Sequence, residues 1–221
     1  MNVLVIAPHM DDEVLGVGGT ISRHVDAGDS VAVCVVANRA YDHKYDQTLI
    51  AQENEAAFRA KDVLGYQELY FLSLPDERLD AVLQDIIIPL EEVYQRVKPD
   101  VVYVNHKGDN NQDHQAVFRA AMVVCRPYGS HQLQSLYAYE VPSSTDQTPN
   151  LLENAFLPNR FIDISEQLER KLAALSCYKK EIRTFPHPRS IEGLTTYARK
   201  RGSEVGMEAA EAFMVLRDLC R

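Results

Sequence analysis

Four short apolar runs set the fold class of this chain: VLVIA at 3–7, VAVCVVA at 31–37, LYFL at 69–72 and VVYV at 101–104. Each is apolar without alternation, the pattern of a strand buried on both faces, and such strands belong to parallel sheets covered by helices on either side. Helical stretches separate them. The clearest is LDAVLQDIIIPLEEVYQRVKP, where Leu79, Val82, Leu83, Ile86, Leu90, Val93 and Val97 recur at helical spacing and Pro89 is expected to kink the run. The order strand, helix, strand, helix predicts right-handed crossovers and a Rossmann-like three-layer α/β/α sandwich with a mostly parallel sheet. Ligands of such folds gather at the carboxyl ends of the strands.

The remainder of the chain reads differently. SLYAYEV at 135–141 and RFIDI at 160–164 resemble shorter strands, and PSSTDQTPN at 142–150 reads as a loop or lid between them. Three helices are then expected, over SEQLERKLAALSCYKKEIR, SIEGLTTYARKRG and VGMEAAEAFMVLRDL, with Ser165 and Ser190 as N-caps. With 221 residues, 46% of them hydrophobic, the chain suffices for one α/β domain over 1–221, in which 130–221 supplies lid and pocket elements.

A net charge of −9 argues against a nucleic-acid partner, since phosphate binding needs a basic face. No apolar run approaches the ~20 residues of a membrane span, and a cytoplasmic protein with a small-molecule substrate is the expectation. Cys34, Cys125, Cys177 and Cys220 form no CxxC pair and read as small buried hydrophobes. GVGGT at 16–20 lacks the spacing of a dinucleotide fingerprint, and Gly16, Gly18 and Gly19 are expected to let the first helix pack closely on the sheet.

The first strand runs straight into PHMDDE, and the fourth into NHKGDNNQDH. Acids at a helix start are favoured by the macrodipole alone. That does not account for a histidine two residues upstream, nor for a second Asp-His pair after another strand. Strands one and four are neighbours in a doubly wound sheet, so both loops face the same switch point. His9, Asp12 and His114 can then supply a three-ligand zinc site with an open position, leaving Asp11 beside the metal to take a proton from water.

PHMDDE followed by an HxxGDxNxDH-like segment resembles the LmbE-like, or PIG-L, family of zinc-dependent sugar N-deacetylases. The resemblance implies His9, Asp12 and His114 as zinc ligands, Asp11 as general base, and an N-acetylated amino sugar or its conjugate as substrate. It also implies a possible trimer or hexamer. Met10 stands where the family has proline, with no expected loss of metal binding. Asn111 stands where many members have a histidine that stabilises the oxyanion or protonates the leaving amine. Asparagine can donate a hydrogen bond but delivers no proton, so His106 and His187 become the candidate acids.

FPHPRS around His187 matches a motif in a subgroup of the family, which implies a C-terminal contribution to the pocket. Glu13 is expected to support the first loop, and Asp113 to orient an imidazole or to cap the helix that follows it. Asp109 and Asn110 are equally readable as turn residues beside Gly108. Arg189, Arg199 and Arg201 are candidates for an anionic group on the substrate, Arg201 the strongest. His24, His43 and His131 fit no ligand spacing. Two other functions remain open: a metal-free sugar or nucleotide-binding module, and a zinc hydrolase acting on another amide or an ester.

Overall fold

In a computed structural model of the protein, which describes residues 1–38, 47–128, 131 and 133–220, one sheet of seven strands organises the described chain. Its strands are β1 (Asn2–Ala7), β2 (Ser30–Asn38), β3 (Glu68–Pro75), β4 (Val101–Asn105), β5 (Ser135–Tyr139), β6 (Arg160–Asp163) and β7 (Ala210–Asp218), in the order β3-β2-β1-β4-β5-β7-β6. The first five run parallel, and β7 joins β5 and β6 antiparallel. The helices are α1 (Asp12–Asp26), α2 (Gln47–Leu64), α3 (Leu83–Val97), α4 (Gln112–Val124), α5 (Leu168–Leu175) and α6 (Ile191–Ser203).

β1 shows why continuous hydrophobicity predicts two-sided burial. Val3, Val5 and Ala7 pack into one core with Val14, Val17 and Ile21 of α1, whereas Leu4 and Ile6 pack into the other with Ile86 and Leu90 of α3. Period-two alternation of direction therefore places every residue of the run in an apolar layer. The result is the expected α/β/α sandwich. β1 is flanked by β2 on one side and β4 on the other, so the strand order reverses between β1 and β4 and the loops leaving their carboxyl ends meet there. No helix among the described residues is long and apolar enough to cross a membrane.

Three expectations are corrected. The segment read as a last helix forms β7, because pairing with β5 and β6 outweighs the helix preference of its Ala, Glu, Met and Leu residues. Its Glu211 is buried, accepting from the Gly19 and Thr20 amides and from Lys171 Nζ at 2.9, 2.7 and 2.5 Å. The helix expected from Ser165 begins only at Leu168, since the Ser165 hydroxyl donates to Asp163 Oδ1 at 2.6 Å instead of capping. Leu79 and Val82 precede α3, which runs through Pro89 without a break. Ser190 does cap α6, accepting from Gly193 N at 2.9 Å. Of the cysteines, Cys34 and Cys125 are buried, Cys177 is partly exposed and Cys220 exposed.

The glycines of α1 mark where that helix touches its neighbours. A methyl group on Gly16 would lie 2.2 Å from the Tyr139 ring and 2.8 Å from the Glu140 carbonyl oxygen, and one on Gly19 would lie 2.7 Å from Ile164. Gly16→Ala is expected to destabilise the fold by about 1–3 kcal/mol through overpacking, read as a lowered denaturant midpoint at constant m-value. An unchanged midpoint would show that α1 can shift away from β5.

Candidate metal centre

The β1–α1 turn carries its acids in an unusual backbone. Asp11 is the N-cap of α1 with φ 96°, in the left-handed region, and its side chain makes no capping hydrogen bond. Its amide instead donates to Glu13 Oε2 at 3.0 Å, and its carbonyl accepts from Val14 and Leu15. The turn thereby sends Asp11, Asp12 and Glu13 into the protein, each no more than 2% exposed. A solvated helix start would leave them in water.

His9 Nδ1, His114 Nε2 and Asp12 Oδ2 form a nearly equilateral triangle: 3.2 Å between the two nitrogens, and 3.3 and 3.2 Å from each nitrogen to the carboxylate oxygen. Ligands about 2.0–2.1 Å from a tetrahedral metal sit roughly 3.3–3.4 Å apart, so the triangle has the dimensions of one face of a zinc coordination sphere. Asp12 Oδ1 is buried with no hydrogen-bond partner among the described residues. The donor set therefore fits a divalent cation.

Each imidazole is backed by carboxylate on its far side. His9 Nε2 lies 3.1 Å from both Asp113 Oδ2 and Asp76 Oδ1, and His114 Nδ1 lies 3.1 Å from Asp109 Oδ2. Burial acts to lower both imidazole pKa values, but Asp113, Asp12 and Asp76 raise that of His9 well above its usual range, and Asp12 and Asp109 push His114 up to about 9. For Asp12 burial acts upward, yet the two rings hold the carboxyl far below its ordinary value. The cluster thus demands positive charge, which a divalent cation supplies in place of protons.

The flanking acids are set apart from this triangle. Burial pushes Asp11 up to about 8, with Arg189 pulling it back and Asp12, Glu181 and Glu13 adding to the rise. Burial likewise pushes Glu13 up to about 7, against the hydrogen bond that Tyr178 donates to Oε1 at 2.5 Å.

Two of the carboxylates backing the rings lie outside the expected set. Asp109, readable as a turn residue, is fully buried and accepts from Ser144 Oγ, from Thr145 Oγ1 at 2.8 Å and from Asn111 N at 2.9 Å. It thereby ties the 142–150 segment, with its short 3-10 turn Thr145–Gln147, to the site. Asp76 comes from the end of β3, where PDER looks like a solvated turn. Asp113 is not the cap of α4: Asn111 is, its Oδ1 accepting from Asp113 N at 2.8 Å. Asp113 instead accepts from the amides of Glu77 and Leu79 while facing His9. Asp109→Asn is expected to weaken metal affinity by about 10–100-fold, measured by chelator competition; unchanged affinity would show that His114 needs no carboxylate behind it.

A cavity of about 520 Å³ meets the centre at His9 and is lined by His9, Met10, Asp11, Asp76, Asn111 and Arg189 among others, and by Arg59 of α2 and Lys179 and Lys180 after α5. Its size falls within the ~300–1,000 Å³ of small-molecule sites. His106 and His187 are not among its lining residues. His106 is buried with Nε2 on the Asn154 carbonyl at 3.0 Å and its ring edge-on to Phe156; burial lowers its pKa. His187 turns Nδ1 toward the Arg189 amide at 3.1 Å.

Arg189 reaches the cavity, with Nη1 3.0 Å from Asp11 Oδ2 and 3.1 Å from Glu181 Oε2. Arg201 does not. It forms a two-pronged pair with Glu140, 2.6 Å on each prong, beside a separate cavity of about 430 Å³. Arg199 is exposed. His24 and His131 bond Asp29 and the Pro99 carbonyl, away from the centre, and His43 lies outside the described residues.

Residues 4–125 match the family described as PIG-L: GlcNAc-PI de-N-acetylase. The chain is 31% identical over 185 residues to the uncharacterized deacetylase YaiS of Escherichia coli, covering 80% of this chain and 90% of that one. It is 25% identical over 195 residues to the 4-oxalmesaconate hydratase of Pseudomonas putida, covering 80% and 72%. A conserved protein of Thermus thermophilus, TT1542, shares the fold with a TM-score of 0.81 at 23% identity, over 100% of this chain and 97% of that one. The matched 4–125 segment contains both loops of the centre, and the resemblance to YaiS extends over most of the chain: the protein belongs to the PIG-L, or GlcNAc-PI de-N-acetylase, family.

Proposed function

We propose that the protein is a zinc-dependent hydrolase that removes an N-acetyl group from an amino sugar or its conjugate. The observation that carries this reading is the His9–His114–Asp12 triangle, which meets the cavity through His9, with the Asp11 carboxylate lining the same cavity and paired with Arg189. The family description and the relative named a deacetylase support the reaction class. Zinc is favoured by a two-nitrogen, one-carboxylate donor set with an open position.

When bound, the metal supplies Lewis acidity, polarising the amide carbonyl and making water more acidic. His9, Asp12 and His114 hold it, and the carboxylates behind the rings fix their orientation. Asp11 takes the proton of the attacking water. The departing amine then needs a proton, and His106 and His187 are engaged with a backbone carbonyl and a backbone amide. Asp11 returns the proton it took, acting as base and then as acid. Asn111 lines the cavity and keeps its oxygen on the Asp113 amide, and its amide nitrogen is the donor assigned to the developing oxyanion. The C-terminal part of the chain completes the pocket through Tyr178, Glu181 and Arg189.

The test is acetate release over a panel of N-acetylated sugars, sugar conjugates and glycosides, with metal content measured on the same sample. The Pseudomonas relative, a 4-oxalmesaconate hydratase, motivates a second reading, addition of water to a carbon–carbon double bond. Unsaturated dicarboxylates in the same panel separate the two: loss of their ultraviolet absorbance without acetate release from any amide overturns the deacetylase reading.

A further inference from the structure

Two adjacent aspartates face one cation in this site, and they must do different things. A carboxylate next to a dication that has an open coordination position is drawn onto it, and Asp11 bound there would block water and cease to be a base. Something must hold Asp11 away from the metal.

The side chain that touches it is Arg189, from a segment almost 180 residues later. Nη1 donates to Asp11 Oδ2 at 3.0 Å and is shared with Glu181 Oε2 at 3.1 Å. Nε donates to Ser143 Oγ at 2.6 Å. The main chain of Arg189 is fixed in turn by its amide hydrogen bond to His187 Nδ1. Besides Asp11, the guanidinium is thus held from two segments, 142–150 and the stretch after α5, and its main chain by its own loop. On the other side of Asp11, Glu13 receives its backbone amide and is itself held by Tyr178. Main chain and side chain of Asp11 are both fixed by groups that do not belong to the metal triangle.

We propose that Arg189 is the positioning residue of the reaction, holding Asp11 beside the metal rather than on it, with Ser143 and Glu181 aiming the guanidinium. The proposal rests on the deacetylase reading and changes the part Arg189 plays in it. The arginine acts on the base, where the sequence suggested a contact with an anionic group of the substrate. It also gives the FPHPRS segment a function: His187 and Arg189 form one unit in which the imidazole sets the loop and the arginine sets the aspartate.

The test is a cycle of variants on the zinc-loaded enzyme with its best acetylated substrate. Arg189→Gln is expected to lower kcat about 10–100-fold while KM changes less than about threefold and bound zinc stays stoichiometric. Arg189→Lys, which keeps the charge on a single donor nitrogen, restores part of the loss. Ser143→Ala, a milder change that leaves Arg189 in place, lowers kcat in the same direction by a smaller factor. In an Asp11→Asn background Arg189→Gln costs less than about twofold more, because both changes act through one group. A raised KM with kcat unchanged, or full additivity with Asp11→Asn, would overturn the proposal in favour of a substrate contact. Failure of the deacetylase reading looks different: zinc-loaded wild-type protein would release no acetate from any member of the panel.

Discussion

Replacing Asp11 with asparagine is expected to leave zinc bound at one equivalent and to lower kcat by about 10²–10⁴-fold, the range that a general base contributes. The variant is informative because it changes little else. Asparagine is isosteric with aspartate and, like it, tolerates the left-handed backbone that residue 11 adopts at φ 96°. Its amide oxygen can still accept from Arg189. Burial disfavours the charged form of Asp11, which offsets part of what the fold loses when the Arg189 ion pair becomes a hydrogen bond to a neutral amide. Asp11 is also absent from the triangle of ligand atoms, so metal content should hold. Turnover and zinc content measured on one preparation give the answer. Near wild-type deacetylation would remove Asp11 from the mechanism, and loss of zinc would make it a ligand.

The parts of this molecule that the sequence made legible share a physical reason. β1, β2 and β4 are buried on both faces, so their composition carries the signal without help from neighbours, and the doubly wound rule then puts β1 beside β4. That adjacency brings His9 and Asp12 to His114. Where the reading failed, the deciding partner is remote. β7 is rich in helix formers and becomes a strand because β5 and β6 offer it hydrogen bonds on both sides. Asp109 sits in a GDNN stretch with every mark of a turn, and its burial depends on Ser144 and Thr145, some 35 residues away. Asp76 looks solvated until β3 ends beside β2, next to the β1–α1 turn. The three side chains of the candidate metal cluster are thus readable from motif spacing, whereas the carboxylates behind them depend on tertiary contacts that no local pattern reports.

His114→Ala is expected to abolish metal binding and activity together, and to destabilise the protein more than His9→Ala does. His114 is 1% exposed and lies between Asp12 and Asp109, so its removal leaves two buried carboxylates facing a hole without a cation. Breaking such a buried pairing costs about 3–5 kcal/mol. The His9 side chain is 22% exposed, and water can replace part of what it gives to Asp12, Asp76 and Asp113. The metal's own contribution is separable by chelation. A ligand at a thousandfold excess over its Kd stabilises the native state by about 4 kcal/mol. At roughly 2–4 °C per kcal/mol for a chain of this size, removing zinc from the wild type should lower Tm by about 8–16 °C. His114→Ala should show no chelator effect, because it has no bound metal to lose, while Asp11→Asn should show the full wild-type shift. A wild-type Tm indifferent to chelator would mean that the triangle holds no cation, and that the three carboxylates around its rings serve only to keep both imidazoles protonated.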